Sequence, residues 1–303
     1  MKNINIRVFP VVKRFFNDVD FNRFSFMNYG EDLTVFCSKI MNSFSDDDLT
    51  LFYNNINRVF VNDKPCDCDG KYYPRKNSIF INDECDDCTV IFHELFHMAS
   101  SCFKNGISYS GFHQSKSYFD KFSFGVGINE AYTELLTDRY FAKDYNIDNS
   151  NNFRVLIGKA CEDIIGKEKM ESLYLNADLY NLACEFSKYS LYDDVLYFIY
   201  SLDFFNNNSK NGWDGLTITL LDFISNFLVY SYLDKLKLDL INGSASLDDC
   251  VLLFNKFLSD YSATFNFDDF YYDFIKSSDR MDLICLARKE LYSAYNERFA
   301  KCL

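Results

Sequence analysis

Three scarcities in this 303-residue chain each exclude something. Proline occurs three times, never after Pro74, and glycine only 11 times. The second half therefore has few of the residues that break helices. No run of about 18 uncharged apolar residues occurs, which argues against a membrane-spanning helix. The start, Met1 to Pro10, lacks the continuous apolar stretch of a secretory signal, so a cytoplasmic protein is expected. Basic residues are outnumbered, 31 Lys and Arg against 44 Asp and Glu, giving a net charge of −13. That charge repels phosphate backbones and anionic lipid, so neither nucleic acid nor membrane is an expected partner. With 48% hydrophobic and 25% charged residues the chain reads as globular rather than disordered.

Histidine is the scarcest informative residue. Only three are present, and two fall in Val90-Ile91-Phe92-His93-Glu94-Leu95-Phe96-His97-Met98-Ala99. This is His-Glu-x-x-His on an apolar, helix-forming background. On a helix His93 and His97 lie four residues apart and project from one face. Two imidazoles then come within reach of one zinc ion, with Glu94 beside them to take a proton from a water that the metal activates. Thr89 or Asp87 is a candidate N-cap, and Asn105-Gly106 a candidate stop, for a helix over 89–103.

A catalytic zinc keeps three protein ligands and an open position. His-x-x-Gly-x-x-His does not follow His97, so the third ligand lies elsewhere. Asn129-Glu130-Ala131-Tyr132-Thr133-Glu134 reads as a helix over 129–142, with Glu130 and Glu134 four apart on one face. Two carboxylates on one buried face are costly unless a cation or hydrogen bonds satisfy them. His113, between the two helices, is an alternative third ligand.

At this point the chain resembles the gluzincins, the thermolysin-like zinc peptidases. The resemblance rests on His-Glu-x-x-His followed by Asn-Glu-x-x-x-Glu, and covers roughly residues 70–140. It implies that Glu130 is the third ligand, and that Glu134 accepts from the free N–H of a zinc-bound histidine and fixes its tautomer. The 32 residues between His97 and Glu130 are more than thermolysin has. The family often steadies the oxyanion with a Tyr or His; here Tyr132, Tyr140 and His113 all qualify. It also implies an edge strand ahead of the histidine helix that binds extended peptide. Ile79 and Ile81 alternate within a strand over 76–82, which makes residues around 74–82 candidates for that role.

The 11 cysteines are mostly scattered. Cys66-Asp67-Cys68 and Cys85-Asp86-Asp87-Cys88 are the exception, two pairs flanking one strand. They could hold a second, structural zinc, pair as disulfides, or stay as free thiols. Neighbouring aspartates disfavour thiolates unless a metal is present.

Along the chain, a short strand is expected over Ile4 to Val8. Helices follow over 32–44 and 46–59, then a loop over 63–75. A Gly- and Ser-rich active-site loop is expected over 104–128. Amphipathic patterns then run through 152–167, 178–188, 191–206, 216–242, 246–262 and 279–301. The expected fold class is α+β. A zincin-like half over 1–148, with a small sheet and the active-site helices, would precede a mainly helical domain over 149–303. The expected function is zinc-dependent hydrolysis of peptide or protein substrates with Glu94 as general base. The alternative is a zincin-fold binding or regulatory protein that does not cleave; an intact Glu94 weighs against it.

Overall fold

The computed structural model describes residues 19–63, 68–116, 122–145, 152–208, 215–262 and 288–297. The strand expected over Ile4 to Val8 lies outside them, as does part of the last amphipathic stretch, of which 288–297 is helical. The fold class is α+β: helices with two small sheets. No helix among the described residues is long and apolar enough to cross a membrane. The chain divides into two compact units.

The first unit comprises Met1–Ser123, Leu136–Asp148 and Glu171–Leu179. Its described residues begin with helices α1 (Phe21–Phe24), α2 (Gly30–Ser43) and α3 (Thr50–Ile56). Strands β1 (Phe60–Asp63), β2 (Gly70–Tyr73) and β3 (Ser78–Ile81) form a sheet of order β1-β3-β2. β3 is parallel to β1 and antiparallel to β2. β3 is therefore central, with both backbone edges engaged. The edge-strand role expected for residues 74–82 cannot fall to β3; an outer edge of this sheet belongs to β2.

Helix α4 (Val90–Ala99) carries the His-Glu-x-x-His motif and is apolar almost all round, as befits a helix packed on several sides. Asp87 Oδ1 accepts from the Thr89 N–H at 2.8 Å and from its hydroxyl at 2.7 Å, which orders the entry turn. The helix ends at Ala99, earlier than the 89–103 expected. Ser101–Lys104 and Ile107–Ser110 instead form β4 and β5, a hairpin turning on Asn105 and Gly106, both with positive φ. Asn-Gly between short strands specifies such a turn more strongly than a helix end. β6 (His113–Lys116) and β7 (Ser123–Phe124) complete a four-stranded meander in place of the expected loop.

Helix α5 (Val126–Phe141) follows and runs into a 3-10 turn, Ala142–Tyr145. Phe141 is fully buried in the first unit. It packs with Phe36 of α2 and with Phe92 and Phe96 of α4. Such ring pairs add about 0.5–1.5 kcal/mol each beyond area burial.

The second unit comprises Phe124–Leu135, Asn149–Met170 and the chain from Tyr180 onward. Besides the first part of α5 and the helical 288–297, its described residues include α6 (Phe153–Ile165), the start of α7 (Lys167–Leu175), α8 (Leu179–Phe186), α9 (Tyr192–Asn208), α10 (Gly215–Asn242) and α11 (Leu247–Ser262). The long α10 packs against α6, α9 and α11. Phe186, Phe198 and Phe227 meet in this core, and Tyr232 stacks on Phe257 at 4.2 Å.

Candidate metal centre

His93 and His97 sit one turn apart on α4. Their Nε2 atoms approach to 3.1 Å and their ring centroids to 4.8 Å. His97 is buried and His93 half-buried. The last turn of α4 would leave carbonyls without intrahelical partners, and neighbouring side chains supply donors. The Ser100 hydroxyl donates to Phe96 O at 2.9 Å and the Ser110 hydroxyl to His97 O at 3.0 Å. Asn55 Nδ2 donates to Met98 O at 2.9 Å and Ser101 O at 2.7 Å. The backbone beneath His97 is thus held by α3 and β5.

Glu130 lies in the second turn of α5. It is 11 residues before Phe141, close to three full turns, so the two share a helix face. Phe141 is the residue of that face that packs on α4. One candidate ligand atom from each of His93, His97 and Glu130 lies within 4.8 Å of the other two. Among the described residues this is the one group of three or more His, Cys, Asp or Glu side chains with such geometry. His113 is not part of it; its Nε2 lies 2.8 Å from the Ser123 hydroxyl in the β6–β7 pair.

Glu94 is buried on α4. A Cβ built on Gly70 of β2 would lie 3.1 Å from Glu94 Cγ and 2.5 Å from Val90 Cγ1. The contact with Val90 is too short for any side chain here, and the one with Glu94 is tight. The motif and its spacing do not single out Gly70; the signal for it is a glycine opening a strand pattern, a sign of close backbone approach.

Glu134 accepts from Asn152 Nδ2 at 3.2 Å. Tyr132 is fully buried and its hydroxyl donates to Glu162 at 2.7 Å. The Tyr140 hydroxyl donates at 3.0 Å to Glu171, which also pairs with Arg139 at 2.9 Å. Both tyrosine hydroxyls are engaged with carboxylates outside the candidate ligand group.

Cys66 lies outside the described residues. Cys68, Cys85 and Cys88 do not form a three-ligand group among the described residues, and no disulfide joins described cysteines. Burial, then the carboxylates of Asp69, Asp87 and Asp86, push the Cys85 thiol up; burial and Asp87 do the same for Cys88. The aspartate effect read from the sequence has the right direction, with burial the larger cause.

No protein-family model, characterised protein or solved structure matches this chain.

Proposed function

We propose that the chain is a zinc-dependent peptidase of gluzincin type, with a zincin-like first half, acting in the cytoplasm on peptide or protein substrates. The observation that carries this reading is the convergence of His93, His97 and Glu130 next to a buried Glu94. The donors suit the ion. At Zn–N bonds of about 2.05 Å, two ligands at a tetrahedral angle stand about 3.3 Å apart; the imidazole nitrogens stand 3.1 Å apart. Two imidazoles and one carboxylate form a set that leaves a position for water.

His93 and His97 would hold the ion through Nε2 and Glu130 through a carboxylate oxygen. When bound, zinc polarises the scissile carbonyl and makes a water acidic near neutral pH. Glu94 accepts the proton of the attacking water and later delivers it to the leaving amine. Its burial beside β2 keeps that exchange away from bulk solvent. Among the described residues no strand pairs with the outer edge of β2. An extended peptide added there would lie along the strand that passes Glu94.

The test is elemental analysis joined to an assay on unfolded polypeptide. Wild type should carry about one zinc per chain, and His93→Ala/His97→Ala should lose it. Glu94→Gln should keep the metal and lose hydrolysis. Metal without hydrolysis in wild type would favour a binding protein, and no metal after reconstitution would remove the reading.

A further inference from the structure

Helix α5, which presents Glu130, has an unusual start. The first turn of a helix leaves backbone N–H groups without partners, and a nearby side chain ordinarily caps them. Here the chain enters through Gly125-Val126-Gly127, which offers no polar side chain. The cap comes from Asp203 on α9. Its Oδ2 accepts from the Gly125 N–H at 2.8 Å and its Oδ1 from the Gly127 N–H at 2.7 Å. Asp203 is buried. Gly127 also rests directly on the α9 backbone: a Cβ there would fall 2.2 Å from the carbonyl oxygen of Leu202. One bidentate carboxylate and one bare backbone contact therefore fix the height and rotation of the first turn. Glu130 is three residues beyond Gly127, less than one turn along the same rigid helix.

We infer that Asp203 is a positioning residue for Glu130, setting where its carboxylate meets His93 and His97. The inference rests on the metal-site reading above. A cap needed only for stability would predict an effect on folding that does not depend on Glu130. A clamp that aims Glu130 predicts an effect on metal affinity that vanishes when Glu130 can no longer ligate.

A double-mutant cycle separates the two. Zinc affinity is measured by competition with a chromogenic chelator for wild type, Asp203→Asn, Glu130→Gln and the double variant, with helicity followed by circular dichroism. Asparagine keeps the shape but places an NH2 against one of the two backbone donors. Asp203→Asn should weaken zinc about 10-fold to 100-fold, the range seen when groups that orient metal ligands are removed. Added to Glu130→Gln, it should change affinity little. Equal loss in both backgrounds, or no loss in either, overturns the inference and leaves the metal site standing. A wild type without stoichiometric zinc removes the metal site and the inference together. If Asp203→Asn does not fold, Asp203→Glu replaces it in the same cycle; it keeps both acceptors but moves them by a methylene.

Discussion

The ring of Phe141 lies flat on the ring of Phe92, centroids 4.1 Å apart and planes within 4°. Phe92 immediately precedes His93, and Phe141 shares a helix face with Glu130. The stack therefore joins the two helices that carry the proposed ligands. Phe141→Ala should destabilise the protein by about 3–5 kcal/mol, the usual loss for a buried phenylalanine. Phe141→Leu should lose less. Both variants should also weaken zinc binding, alanine the more. Urea denaturation measures the effect on stability and chelator competition the effect on zinc. An alanine variant within about 1 kcal/mol of wild type would show that the stack does not hold the helices, because large-to-small core changes that mild are rare.

Asn55 offers a second check on the histidine helix. Its side-chain amide serves the carbonyls of Met98 and Ser101 at once. Asn55→Ala leaves both acceptors without that donor, a change of about 1–3 kcal/mol. The same variant should lower zinc affinity, since the last turn of α4 carries His97. Thermal denaturation with and without zinc reads both. A loss confined to the zinc-free protein would mean that the ion alone holds the turn.

Individual helices after residue 150 were legible because amphipathic spacing and few breakers leave little alternative; 191–206 and 216–242 correspond to α9 (192–208) and α10 (215–242). The pairing of His93 and His97 was legible for a geometric reason, since four residues on a helix make about one turn and bring both rings to one face. The meander was not. Its strands are four residues or fewer, and Ser, Gly and aromatic residues there suit loop and strand alike. Asn105-Gly106 reads as a helix stop because the apolar helix before it masks the hairpin. The position of β3 was also out of reach, since nothing local in Ser78–Ile81 says that strands flank it on both sides. Asp203 could not have been found, because its role depends on a contact 78 residues away in sequence.

Asp203 carries a pH prediction. Burial pushes its carboxyl up to about 6, although the Gly127 and Gly125 N–H bonds pull it back in part. An acid whose folded pKa exceeds its unfolded value binds its proton more tightly in the fold. Its contribution to stability is therefore full below the unfolded value, near 3.8, and is lost as pH rises through about 6. Wild type should gain on Asp203→Asn by roughly 2 kcal/mol between pH 7.5 and 4. Comparing the two at each pH cancels the other titrating groups. Denaturation midpoints from pH 4 to 8 provide the measurement, and a difference that is flat or grows with pH would contradict it.

Gly70 makes the sharpest claim about the proposed base. A methyl group there meets Val90 Cγ1 at 2.5 Å and Glu94 Cγ at 3.1 Å. The first contact is too short to survive, and the valine methyl has little freedom to retreat. The second is tight enough to shift the glutamate side chain by a few tenths of an ångström. Gly70→Ala should therefore lose about 1–3 kcal/mol, as overpacked cores do, and should lower kcat more than KM. Val90→Ala in the same chain removes the shorter contact and leaves the one with Glu94. If Gly70 matters through Glu94, the double variant should recover most of the stability and little of the kcat, with zinc still bound. Recovery of both would assign the glycine to packing alone. Recovery of neither would mean that the strand itself, rather than either side chain, requires glycine at this position.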